Sequence, residues 1–169
     1  MATQLTVTQS FPAPPEAVLD LLRDREFVTA CVQSVNGPDA LVVAHEVFET
    51  RLIVLSESPV PASILPGPMR NMLPSNARGT KSETWTSTAG GYCAEIEIAV
   101  TGAPATVVAE ATLSATATGS LLSIVGTAEV KIPFVGPKIE KMMVDQASER
   151  LDAEGEFINA RLGTGTVPA

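Results

Sequence analysis

The alternation of apolar and polar positions changes period along the chain. In QLTVTQSF, residues 4–11, Leu5, Val7 and Gln9 alternate with Thr6, Thr8 and Ser10, which predicts a first strand. In PAPPEAVLDLLRDREFVTACVQ the period lengthens. Val18, Leu21 and Leu22 stand at helical spacing behind Pro15, a residue suited to a first helical turn. Asp24 predicts the cap of a second short helix that carries Phe27, Val28 and Cys31. NGPD, at 36–39, reads as a turn.

Two strand-like runs follow, ALVVAHEVFE and TRLIVLSES, and then regularity stops. PVPASILPGPMRNMLPSNARG holds five prolines and two methionines, which predicts a long loop with at most a helical turn near PMRNML. Loops of this length inside a compact domain are usually functional or mobile. Ile64, Leu65, Met69, Met72 and Leu73, close to Arg70 and Arg78, would suit a lid or a patch that touches membrane while a ligand is taken up; an ordinary packed loop is the plainer reading.

Four more strands are predicted in TKSETWTS, YCAEIEIAV, ATVVAEATLSATA and SLLSIVGTAEVKI. Tyr92, Ala94, Ile96, Ile98 and Val100 share one face of the second of these, with Glu95 and Glu97 on the other. One wet face and one buried face are the mark of an antiparallel meander.

The chain closes on IPFVGPKIEKMMVDQASERLDAEGEFINARLG, residues 132–163, one long amphipathic helix. With Ile139 at zero and roughly 100° per residue, Val135, Met142, Met143, Ala147, Phe157 and Ile158 fall on one broad face. Gln146, Arg150 and Glu154 fall near its middle. The element order predicts an α+β domain: a curved antiparallel sheet of about six to seven strands around a long C-terminal helix, with two short helices after the first strand. Residues 1–163 form a single domain on this reading, and 164–169 a flexible tail.

Composition alters this picture in two ways. Hydrophobic residues make up 45% of the 169 positions but aromatics only 4%, so core volume comes from Ala, Val, Leu and Ile. Small side chains leave room unless elements pack closely. Ala109 and Ala111 on one strand, and Ile124, Gly126 and Ala128 on the next, therefore suggest a cavity beneath the helix unless Met142, Met143, Tyr92 and Trp85 fill it. The net charge of −8, with 11 basic against 19 acidic residues, argues against a nucleic-acid surface. The N-terminus carries neither a basic nor an apolar leader region, and no apolar run is long enough to span a membrane, so a cytoplasmic protein is expected. Cys31 and Cys93 lack metal-ligand spacing and read as buried thiols.

FPAPPEAVLDLLRDREFV near the start, ETW at Glu83 to Trp85, and above all GTAEVKIPFVGPKIEK carry a resemblance. The chain resembles the helix-grip fold of the START-like (SRPBCC) superfamily over roughly residues 4–162, and more narrowly an actinobacterial family of that superfamily of unknown function. The resemblance implies the fold, and a cavity between sheet and long helix that takes a hydrophobic ligand. It implies no particular activity.

An inward Arg150 needs a partner. It could pair with Glu154 four residues on, with Glu83 joining from the strand face that it shares with Trp85. It could instead offer its planar fork to the carboxylate or phosphate head of an amphiphile. Or water could solvate the stripe at an open end of the cavity. The expected ligand site comprises Arg150, Gln146, Glu154, Met142, Met143 and Ile139 on the helix. On the sheet it takes Glu83, Trp85, Tyr92, Ile96, Ala109, Ala111 and Ile124, and on the loop Met69 and Met72.

No Ser-centred elbow, P-loop or dinucleotide fingerprint is present. His45, the only histidine, has no acidic or Cys partner at metal spacing and reads as a satisfied strand residue. No catalytic residue, metal or cofactor is therefore assigned. The expected function is binding, as carrier or sensor, of a hydrophobic or amphipathic molecule that is lipid- or polyketide-like, by a monomer or homodimer. The alternatives are a cyclase/aromatase-like enzyme, which the resemblance to START-like proteins brings in and which would act in the same cavity through Arg150, Glu83 or Tyr92, and an interaction module with a filled core.

Overall fold

The computed structural model describes residues 2–165 apart from 62, 64 and 66. Ile64 and the last four residues of the expected tail lie outside the described residues. The element order is β1 (Thr3–Phe11), α1 (Pro15–Arg23), α2 (Arg25–Asn36), β2 (Leu41–Val47), β3 (Arg51–Pro59), α3 (Gly67–Met72), β4 (Arg78–Thr88), β5 (Gly91–Val100), β6 (Ala105–Thr116), β7 (Gly119–Val130) and α4 (Gly136–Gly165). The strands form one seven-stranded antiparallel sheet in the order β1-β7-β6-β5-β4-β3-β2. Each hairpin pairs neighbours in sequence, and β1 joins the far side of β7.

Local chemistry sets the boundaries. Pro15 opens α1 at a position where its missing N–H loses nothing. Asp24 ends α1 and caps α2, its carboxylate accepting from the backbone N–H groups of Glu26 at 3.0 Å and Phe27 at 3.4 Å. Gly37, at φ 96°, stops α2. In β5, Ala94 and Ile96 are buried while Cys93, Glu95 and Glu97 face solvent. Cys93 is thus exposed rather than a buried thiol, as its parity with the two glutamates requires; Cys31 on α2 is buried. His45 is satisfied, its Nε2 donating to the Leu22 carbonyl at 2.8 Å.

α4 is 30 residues long, about 45 Å at ~1.5 Å per residue. It starts four residues later than expected, after the Pro133 corner, and runs through Gly165 into what was read as tail. Its core face is Ala147, Leu151, Gly155, Ile158 and Leu162. Leu151 is twelve residues past Ile139, so this stripe sits ~120° around the helix from it at ~100° per residue. Setting the face on Ile139 therefore misplaced its centre. Gln146, Arg150 and Glu154 do not run through the middle of the core stripe but along its flank.

The helix leans. It packs mainly on β1 and β7, less on β6, and its N-terminal half stands off β3, β4 and β5. Small residues permit this close approach. Gly155 leaves space for the Gln9 side chain, whose Nε2 donates to the Leu151 carbonyl at 2.9 Å. Gly126 lets β7 lie tightly against β6, where a Cβ would overlap the Val108 carbonyl and the Ala109 side chain. Those neighbours belong to the sheet and cannot swing aside. Gly126→Ala is expected to lose ~1–3 kcal/mol of stability through overpacking, read as a lower urea midpoint with unchanged slope. An unchanged midpoint would mean that the two strands can separate freely at this point.

Candidate functional site

Among the described residues, two cavities lie under α4. The larger, about 130 Å³, lies between the first half of α4 and the ends of β3, β4 and β5, with Leu65 and Met69 of the Pro-rich segment on its rim side. One water needs only ~10–15 Å³ of such space, so this is no packing flaw. The smaller, about 50 Å³, lies deeper among Trp85, Ile96, Leu113, Leu122, Ile124 and Ile158. Ser56, Lys81, Leu151 and Glu154 line both and stand where they meet.

Lys81 and Glu154 divide the space. Lys81 Nζ lies 2.6 Å from Glu154 Oε2 and 3.5 Å from Glu83 Oε1, and all three side chains are less than one-fifth exposed. Burial pushes the ammonium of Lys81 down, but Glu154 and Glu83 together outweigh it, and Lys81 is held above the ordinary lysine value. Burial raises the Glu154 carboxyl; Lys81 opposes this and Glu83 adds to it, leaving it above the usual carboxylate range. The cluster thus places one cation between two carboxylates, one of which holds a proton more tightly than a free carboxylate does. Cys31, at the inner cavity, is pushed up to about 12 by burial and then by Glu154, so it stays a protonated, unreactive thiol.

Arg150 lines the larger cavity, half-buried, and among the described residues its guanidinium has neither an ion pair nor a hydrogen bond. Lys81 has taken the partners expected for it. Gln146 lines the same wall. A second unmet donor is deeper: Trp85 Nε1 is buried without a partner among the described residues and belongs to the inner cavity wall.

Met69, Met142, Met143, Gln146, Arg150 and Glu154, all singled out from sequence, line the larger cavity. Glu83, Trp85, Ile96 and Ile124 line the smaller. The other five line neither. Ile139 packs beyond the cavity with Ala105 and Val130. Tyr92 is half-buried with the Arg23 guanidinium 5.9 Å from its ring centre. Ala109 and Ala111 lie in the packed core, and Met72 is half exposed on α3. Small strand residues here mark the packed core, and the open space lies elsewhere under α4. Lys81 was missed, although it shares the parity of Glu83 and Trp85 on β4, the very signal that singled out those two.

Among the described residues no cluster of acidic, His and Cys side chains could hold a metal ion, and no helix is long and apolar enough to cross a membrane.

The fold is the helix grip. Over 98% of its length the chain superposes on all of the protein TTHA0849 from Thermus thermophilus, with a TM-score of 0.60 at 15% identity. The Zhui aromatase/cyclase from a Streptomyces species matches 96% of the chain over 94% of its own, at a TM-score of 0.59 and 10% identity. A START superfamily protein from Mycobacterium smegmatis matches 96% over 99% of its own, at 0.52 and 15%. Identities this low establish shared architecture only. No curated protein matches the chain. The family described as protein of unknown function (DUF2505) matches residues 6–162, and the chain belongs to that family.

Proposed function

We propose that the protein binds a hydrophobic or amphipathic small molecule, lipid- or polyketide-like, beneath α4, as its carrier or sensor. The observation that carries this reading is Arg150: a guanidinium without a partner among the described residues, on the wall of an otherwise largely apolar cavity. A carboxylate or phosphate head would meet its fork, and an apolar tail would lie among Leu65, Met69, Ile98, Val107, Met142 and Met143. The reading places the protein in an actinobacterial cytoplasm, and it is supported, at the level of architecture, by the START superfamily neighbour.

The test is native mass spectrometry of protein purified from its own host, followed by organic extraction. A stoichiometric amphiphile carrying an acidic group is expected. An apo mass, with no uptake of fatty acids or phenolic polyketides on titration, would sink the reading.

A second reading has its own observation. The Lys81 cluster puts a protonated amine and a carboxyl of raised proton affinity at the junction of the two cavities, which suits enolate chemistry on a polyketide-like substrate. The aromatase/cyclase among the structural neighbours lends architectural support. Turnover of the extracted ligand by the purified protein, lost in Glu154→Gln, would favour it over carriage.

A further inference from the structure

The end of the molecule beside the larger cavity has a charge unlike the rest. The chain carries a net −8, yet four of its 11 basic residues, Arg70, Lys131, Lys138 and Lys141, are exposed here. The segment 59–77 contains no carboxylate at all. Between Lys131 and Val144 there is only Glu140, which is 2% exposed and fully engaged: it accepts from the Val130 N–H and from Thr3 Oγ1, each at 3.1 Å. Glu129 and Asp145 border the region, and Asp145 is held by Lys141 at 3.1 Å. Among the described residues, Lys131 and Lys138 make no ion pair.

Phe134 stands in the middle of this basic zone. It is 103% exposed, more than any other large apolar side chain among the described residues, and its φ of 68° is one that a bulky side chain rarely adopts. The strain is held by its surroundings. The Lys131 N–H donates to the Pro104 carbonyl at 2.9 Å, the Val135 N–H to Pro133 at 2.8 Å and the Gly136 N–H to Ile132 at 3.0 Å. Ile132 and Val135, on either side of the ring, pack into one cluster with Leu65, Met69 and Leu73. Leu65 and Met69 also line the cavity. A hydrogen-bonded corner therefore holds one aromatic ring out in water, close in sequence to exposed cations and packed through its neighbours against residues of the cavity wall.

We propose that this corner docks on an anionic lipid bilayer, with Phe134 entering the headgroup–acyl boundary and Lys131, Lys138, Lys141 and Arg70 facing acidic headgroups. Charge complementarity favours this occupant: the zone is basic on an acidic protein, and a single protruding ring suits a fluid interface better than a rigid partner surface. Docking itself does not need the ligand reading. Its use in loading or unloading the cavity rests on that reading.

The experiment is vesicle flotation of the full chain, with phosphatidylcholine alone and with about a quarter phosphatidylglycerol, at low and high salt. Binding is expected only to the anionic vesicles and is expected to fade with salt. Phe134→Asn keeps a residue that tolerates the left-handed backbone while removing the ring, and it should weaken binding about fivefold or more without lowering the melting temperature. Lys138→Gln should weaken it about fivefold. No binding to anionic vesicles, equal binding to neutral ones, or indifference to both variants would overturn the proposal. Ligand content is measured on the same preparation. A protein that carries amphiphile but ignores vesicles sinks the docking surface alone, and one that binds vesicles but stays empty sinks the carrier reading alone.

Discussion

Replacing Lys81 with methionine is expected to destabilise the fold by on the order of 3 kcal/mol at about pH 8, and by clearly less at about pH 5. Lys81 is the one cation between Glu83 and Glu154, and methionine keeps its apolar stem while removing the charge. Two largely buried carboxylates would then be left with only each other. Their partial exposure, 18% each, sets the expectation at the low end for a broken buried pair. The sign of the pH dependence follows from Glu154. Its carboxyl is already raised above the ordinary 4.5 by burial, and Lys81 is what holds it down. A raised carboxyl contributes stability that is full below its unfolded value and lost as pH climbs through the folded one. Without Lys81 the folded value rises further, so the variant binds a proton across mildly acidic pH that the native protein releases, and its deficit widens as pH increases.

Urea unfolding of both proteins at the two pH values measures this directly. Adding Glu154→Leu to Lys81→Met should recover most of the loss at the higher pH, because an apolar pair of similar volume replaces ions that had to be desolvated. A deficit equal at both pH values would assign Lys81 a packing role through its stem and nothing more. In the native protein Lys81 works in the opposite range. Its raised value means its contribution is full below the ordinary 10.5 and is lost as pH rises through the folded value.

Which parts of this arrangement could be read from the residue string follows from how local each signal is. Capping of α2 by Asp24 and the two-residue alternation of β5 depend on neighbours within a few positions, and both stand in the structure. The helical turn near PMRNML is α3. The orientation of α4 depends on the far side of the molecule. Ile139 is buried, but by Met69, Ala105 and Val130 at the end of the sheet rather than by the central core. Taking it as the reference turned the helix toward its own flank and made a cavity wall look like a buried stripe. Ala147, Leu151, Gly155, Ile158 and Leu162, spaced by four and three residues, locate the core face. The paucity of large side chains predicts space beneath the helix but not where it lies. Gly126 and Gly155 instead bring backbones and the Gln9 amide close together, and the lean this permits opens the cavity on the other flank.

Arg150→Leu is expected to separate binding from folding. In the native cavity Arg150 is half-buried without a partner among the described residues, so replacing it breaks no ion pair or hydrogen bond within the described protein. Leucine removes the charge and keeps an apolar stem on the same cavity wall. Stability should hold or rise. Affinity for an acidic amphiphile should fall ~10–100-fold, since a charge-assisted hydrogen bond is worth ~1.5–3 kcal/mol. Arg150→Lys should lie between, because an ammonium keeps the charge and loses the two-pronged geometry. The readouts are titration calorimetry with the extracted ligand and urea unfolding of the ligand-free protein. Ligand must be stripped first, as bound amphiphile would itself stabilise the native form by mass action. A stability loss in the stripped Arg150→Leu protein with unchanged affinity would make Arg150 structural, and the head group would then have to be sought at Lys81, the other cation on the same wall.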